Sequence, residues 1–280
     1  ELDGTFFFHL LVDACQGLEC CSAELLAADV ASQLYSGMTE KEIYRAMIFA
    51  ARMKVEREPA YARVAARLLL NVIYSEVFDS SIRASLAREE ELRILHREHF
   101  VSYLTRGIAA GRLHAKLMEF DLDRVAAALE PRRDDLFRYL GLQTIYDRYL
   151  LHVEGCRIET PQYFWMRVAM GLAMGEGAER DARAIEFYEA ISTLQFMPST
   201  PTLFNAGTQH PQLSSCFLTT VEDDLGGIFK SISDNARQTI GFGMDQAQAL
   251  LATQLGQRLT TRHGSRDTAL EEGVIDRLFS

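Results

Sequence analysis

The chain has 280 residues, 48% of them apolar, a net charge of −10 and an isoelectric point near 5.3. That length and apolar content fit one or two globular domains with a sizeable core. The acidic balance argues against a nucleic-acid surface, so phosphate binding must come from local dipoles and a few basic residues. No stretch approaches the ~20 apolar residues of a membrane span. The apolar run Thr5–Val12 lacks the basic flank of a signal peptide. Five cysteines, with Cys20 and Cys21 adjacent, make neither a disulfide framework nor a metal-binding CxxC. The expectation is a reducing, cytoplasmic setting, with no metal bound by this chain.

The first 195 residues read as helical scaffold. Phe6–Leu18 is a predicted helix, and Ser22 opens a second whose apolar face is Leu25, Leu26, Val30, Leu34 and Tyr35. Thr39 and Glu42 form a capping box ahead of Ile43, Met47 and Ile48, which repeat at helical spacing. Pro59 stands near the start of a helix carried by Tyr61, Val64, Leu68, Leu69 and Val72. Ser80–His99 is a charged helix, and His96 and His99 are expected on its solvated face because no further ligands complete a metal site. Helical pattern continues through Phe100–Leu113 and Arg124–Leu129, broken at Phe120–Asp123. The aromatic and β-branched run Gly141–Leu151, followed by Glu154-Gly155, predicts a hairpin near residues 145–159. Thr160-Pro161 opens a helix over Gln162–Met174 that holds the only tryptophan, Trp165. Two readings stay open for Arg148 and Arg167: contact with an anionic ligand, or buried structural pairing. Ala182–Leu194 is the last scaffold helix.

Phe196–Phe217 breaks this pattern and holds three of the six prolines. Pro198 and Pro201 do not fit a helix interior, so Met197–Thr202 is expected to run extended. Asn205-Ala206-Gly207 reads as a turn. Leu213–Val221 has the composition of a strand, with Cys216 behind Ser214 and Ser215. From the residues alone Cys216 is either a buried small apolar group or a reactive thiol. Thr200 and Ser215 are either local caps or ligand contacts. Glu222-Asp223-Asp224 is either a solvated acidic turn or an acceptor for a ligand hydroxyl.

The run MPSTPTLFNAGT…QLSSC resembles the large, catalytic subunit of ribonucleotide reductase. The likeness extends upstream through Gly141–Leu194 and downstream through Thr219–Leu225 to about Ala236. Its wording QLSSCFLTTVEDDL is closest to the class I type. The resemblance implies a mainly α fold: the family's helical N-terminal domain, a short β-hairpin and the first strand of an incomplete α/β barrel. It implies a partial ATP-cone-like region over 1–57, the helical domain over 58–195, and the barrel start with its redox cysteine over 196–236. Residues 237–280 form a divergent segment with expected helices at Met244–Leu259 and Asp267–Phe279. It also implies reduction of ribonucleotides to deoxyribonucleotides by radical chemistry with a redox-active dithiol. Cys216 would be one of the two redox cysteines. Thr200 would contact substrate phosphate, Ser215 would line the ribose pocket, and Asp223 and Leu225 would begin the effector site. Thr39 would be at most a contact for ATP. The substrate would be a ribonucleoside diphosphate, with dNTP and ATP as effectors. The radical would come from a small di-metal subunit, or from adenosylcobalamin in a class II relative. Thioredoxin or glutaredoxin would be the reductant, and the subunit would be a homodimer. The family's later cysteines, acid and tyrosine pair have no counterpart here, so the chain alone is expected to be inactive. The alternative is a non-catalytic nucleotide-sensing or subunit-association fragment.

Overall fold

A computed structural model describes residues 4–78, 89–214 and 220–234. The first two spans fall in one compact unit and residues 220–234 in another. Among the described residues the chain is almost wholly helical. The α-helices of the larger unit are α1 (Gly4–Cys15), α2 (Ala23–Ala31), α3 (Glu40–Lys54), α4 (Tyr61–Phe78), α5 (Glu89–Ala109), α6 (Leu122–Ala127), α7 (Tyr139–Arg148), α8 (Pro161–Ala173), α9 (Arg180–Ser192) and α10 (Thr200–Asn205). Strands β1 (His152–Val153) and β2 (Cys156–Arg157) pair antiparallel between α7 and α8, with His152 opposite Arg157.

The helix starts are set by side chains that satisfy the free N–H groups of a first turn. Ser22 Oγ accepts from Leu25 N at 3.2 Å. Thr39 and Glu42 exchange the two bonds of a capping box, at 2.8 and 3.3 Å. Thr160 accepts from Tyr163 N at 3.2 Å, with Pro161 in the first turn of α8. Helix α2 ends at Ala31, so Leu34 and Tyr35 lie beyond it and are exposed. Their apolar spacing continues the pattern, but no helix carries it.

Helix α8 is the centre of the larger unit. Eleven of its thirteen residues are buried, including Trp165, Phe164 and Tyr163. An all-round apolar helix can only exist inside other layers. Helices α9, α10 and the turn Pro131–Leu136 pack on it, while α4 packs on α1, α3 and α7. The two groups join through a buried polar cluster. Tyr74 of α4 donates to Asp134 Oδ2 at 2.5 Å, and Gln162 of α8 donates to Asp134 Oδ1 at 2.5 Å. Tyr188 of α9 donates to Gln162 Oε1. Burial drives the Asp134 carboxyl up to about 7, against the two donors that favour its anion.

Three expectations are corrected. The run Gly141–Leu151 is not a strand: residues 139–148 form α7, with Leu142 and Ile145 buried on one face. The hairpin itself is present at Glu154-Gly155, both with positive φ. Met197–Thr202 is not extended throughout, because α10 begins at Thr200 behind Ser199 with Pro201 in its first turn. Proline is tolerated there, since its missing N–H would lack a partner anyway. His96 does not face solvent. It is fully buried, 4.9 Å from the Phe78 ring, 5.3 Å from Tyr163 and 5.6 Å from Tyr74. Its Nδ1 bonds Leu92 O at 2.7 Å, and burial lowers the imidazole to about 4. His99 is half-buried against Phe78. The first part of the predicted Ser80–His99 helix, the Leu213–Val221 strand at residues 215–219, and both helices expected after 237 lie outside the described residues.

Asp134 and His96 give opposing pH dependences. Between about pH 4 and 7, folded Asp134 keeps a proton that the unfolded carboxyl has released, so its stabilising contribution falls as pH rises. Between about pH 4 and 6.5, unfolded His96 binds a proton that the folded site refuses, so its contribution rises with pH. In urea unfolding between pH 4.5 and 6.5, Asp134→Asn is expected to tilt stability upward with pH relative to the parent. His96→Phe is expected to tilt it downward, each by up to about 1.4 kcal/mol per pH unit. Parallel pH profiles for the parent and both variants would refute the assignment.

Candidate functional site

The segment of interest, residues 196–214, leaves α9 at Ser192, makes α10 and runs on as irregular chain. Phe196 and Met197 are exposed, while Pro201, Thr202 and Leu203 are buried. Thr200, the first residue of α10, is exposed, and its hydroxyl lies 3.4 Å from that of Tyr149. The Tyr149 ring packs on Phe204 at 4.5 Å, so α7 and α10 meet beside Thr200. Two neighbouring hydroxyls, one opening α10 and one closing α7, can donate to an anion such as phosphate.

The segment is held from beneath by a buried ion pair. Arg167 Nε donates to Glu159 Oε1 at 2.7 Å, and both side chains are fully shielded from solvent. The remaining guanidinium donors reach the end of α10: Nη1 bonds Ala206 O at 2.7 Å and lies 3.4 Å from the Leu203 and Phe204 carbonyls. These are the carbonyls a helix end leaves without intrahelical partners. Glu159 is satisfied by Tyr103 Oη at 2.6 Å and Leu151 N at 2.8 Å. Burial opposes the Arg167 charge, but Glu159 and Tyr103 outweigh it and raise the guanidinium above its ordinary value. The same burial, with Glu159 alongside, holds the Tyr103 phenol well above its usual range. Of the two readings of Arg167, buried structural pairing is the one the geometry fits.

A second contact is made without side chains. A Cβ on Gly171 of α8 would meet Gly207 N at 2.1 Å and Ala206 C at 2.5 Å. Gly207 has φ of +77°, the left-handed region that favours glycine, and a Cβ there would meet Arg167 at 2.8 Å. Beyond it, His114 N donates to Gly207 O at 3.0 Å, Asn205 Nδ2 to Gln212 O at 2.7 Å and Thr202 Oγ1 to Leu213 O at 3.3 Å. The Asn205–Gly207 turn is therefore present. The anchors Glu159, Tyr103 and Gly171 were missed in the sequence. An isolated glycine inside a helical pattern, as at Gly171, was the available signal of a close packing contact.

In the smaller unit, Asp223 and Leu225 are both exposed. A helix covers residues 225–234, and Asp224 caps it by accepting from Gly227 N at 2.9 Å. Ser215 and Cys216 lie outside the described residues. Thr39 spends its hydroxyl in the capping box of α3. Among the described residues no cluster of His, Cys, Asp or Glu could hold a metal, and no helix is long and apolar enough to cross a membrane.

The glycine contact can be tested directly. Gly171→Ala is expected to destabilise the chain by about 1–3 kcal/mol, because backbone atoms cannot yield as a side chain would. Gly175→Ala, with open space around the added Cβ, is expected to be neutral. Equal unfolding midpoints for the two variants would refute the contact.

Residues 135–211 match the ribonucleotide reductase all-alpha domain family. The chain is 50% identical over 219 residues to the ribonucleoside-diphosphate reductase subunit alpha of Chlamydia trachomatis, covering 78% of this chain and 20% of that one. It is 35% identical over 238 residues to the subunit alpha of Helicobacter pylori, covering 84% and 28%. It is 33% identical over 207 residues to the large subunit of Danio rerio, covering 72% and 24%. The chain thus spans between a fifth and under a third of the length of these relatives. The buried clamp and the segment it carries lie within or beside the matched domain, and over most of its length the chain is similar to the N-terminal portion of ribonucleotide reductase large subunits.

Proposed function

We propose that the chain works as the N-terminal part of a ribonucleoside-diphosphate reductase large subunit, building one wall of the substrate site and the start of an effector site. The observation that carries this reading is the 50% identity over 219 residues to a protein of that name. The geometry around α10 supports it, since Thr200 is exposed at the start of a short helix whose far end is held by Arg167, which suits a phosphate contact. In this reading Thr200 binds the substrate phosphate, Ser215 lines the ribose pocket and Cys216 is one of a pair of redox thiols. The pair closes to a disulfide while the 2′-hydroxyl leaves as water, so two electrons and two protons are accounted for. Thioredoxin or glutaredoxin reopens it. A small di-metal subunit supplies the radical, with adenosylcobalamin the alternative source. Asp223 and Leu225 begin the site for a deoxynucleotide effector, where a carboxylate can accept from a ribose hydroxyl. Residues 1–57 form a partial ATP-cone-like region, 58–195 the helical domain and 196–236 the start of a barrel, with 237–280 a divergent segment. The working assembly is a cytoplasmic homodimer.

Two measurements test this reading. The purified chain is expected to bind dTTP saturably, with affinity lowered roughly tenfold or more by Asp223→Ala, as for loss of a charged hydrogen bond. Undiminished binding by the variant would remove Asp223 from the effector site. In a large subunit carrying this segment, Cys216→Ser is expected to abolish thioredoxin-dependent reduction of CDP. Turnover that survived the substitution would refute the redox role.

A further inference from the structure

Helix α10 has only six residues, and a helix so short does not hold its own direction in water. Burial of Pro201 and Leu203 keeps it against the scaffold, but apolar contact is non-directional. At its start Ser199 makes no side-chain cap bond. At its end Arg167 Nη1 reaches three carbonyls, Ala206 O at 2.7 Å and Leu203 O and Phe204 O at 3.4 Å. The other side of the same guanidinium holds Glu159, through Nε at 2.7 Å and Nη2 at 3.4 Å. Tyr103 Oη fixes that carboxylate in turn at 2.6 Å, and the Tyr103 ring is stacked on Tyr163 with centroids 4.8 Å apart.

Thr200 stands at the opposite end of α10 from this grip. The helical rise puts it about 7.5 Å along the axis from Asn205. A tilt of ~10° about the held end would therefore move Thr200 by on the order of 1 Å. That exceeds the roughly 0.5 Å within which a binding constellation must be held. Glu159 cancels the charge of Arg167, and both side chains are fully shielded from solvent. The pair thus acts on a ligand at Thr200 through geometry, and attraction at a distance contributes little.

We propose that Arg167, Glu159 and Tyr103 are positioning residues for the substrate phosphate, setting through α10 where the Thr200 hydroxyl stands. This rests on the reading of Thr200 as a phosphate contact. None of the three touches the ligand. The phosphate end of the substrate is bound alike before and during the reaction, so a displaced Thr200 raises KM and leaves kcat near its parent value.

The test is steady-state reduction of CDP by a large subunit carrying this segment. Arg167→Lys keeps a cation beside Glu159 but has no second arm for the Ala206 carbonyl. Tyr103→Phe keeps the ion pair and removes one donor to Glu159, and it serves alone if Arg167→Lys does not fold. Each is expected to raise KM about three- to tenfold, as for one hydrogen bond, with kcat within about twofold of the parent. Neither substitution changes the net charge, so the KM ratio to the parent is expected to stay constant as salt is raised. Thr200→Val is expected to raise KM as well, and beside it the clamp substitutions are expected to add nothing further. A parent-like KM in the clamp variants would overturn the proposal, as would a clamp effect undiminished beside Thr200→Val. Thr200→Val with the parent's KM would instead remove Thr200 from the phosphate site, and the proposal with it.

Discussion

Glu159 and Arg167 are both withdrawn completely from water, and their remaining hydrogen bonds decide what the pair accomplishes. Neither charge could remain buried alone, since an unpaired one costs several kcal/mol. Arg167 sits on α8, Tyr103 on α5, Leu151 beside the hairpin, and the bound carbonyls at the end of α10. The pair therefore ties four parts of the chain at one point. An apolar replacement could fill the same space with similar stability, but it could not hold the Ala206 carbonyl in place. Orientation of the segment, more than stability, is what this ion pair contributes.

The same device recurs. Arg67 of α4 donates to the Ala14 and Gln16 carbonyls at the end of α1, while gripping Asp135 at 2.8 Å. Arg97 of α5 donates to Ala127 O at the end of α6 at 3.1 Å. A helix end carries partial negative charge and free carbonyls, so a neighbouring guanidinium suits it twice over. In an acidic chain this places arginines between helices, Arg167 fully buried and Arg97 at the surface.

Much of the helical plan could be read from local chemistry. Ser22, Thr39 with Glu42, and Thr160-Pro161 announce helix starts by the hydrogen bonds they make, and those bonds are local. The failures have a common physical origin. Residues 139–148 are rich in Tyr, Ile and Thr and suit a strand, but packing against α4 rewards the helical placement of Leu142 and Ile145. Ser199-Thr200-Pro201 is itself a helix-start pattern, but Pro198 and Pro201 so close together also suit an extended chain. His96 sits among charged neighbours in sequence, yet its actual neighbours are Tyr74, Phe78 and Tyr163 from other helices. The clamp on α10 was only half legible, because buried pairing was readable for Arg167 while its partners Glu159 and Tyr103 are distant or unremarkable in sequence. The family likeness was carried by residue order around 196–217, and Ser215 and Cys216 within it lie outside the described residues.

The meeting of Gly171 with Gly207 bears on how accurately the α10 segment is positioned. Where side chains separate two elements they act as compliant spacers, and changes of rotamer let the elements drift by fractions of an ångström. Here main chain touches main chain, so no rotamer can change at the joint. The spacing between α8 and the turn after α10 is set by bond lengths and van der Waals radii alone. A hydroxyl carried on that segment inherits the fixed dimensions of the peptide unit.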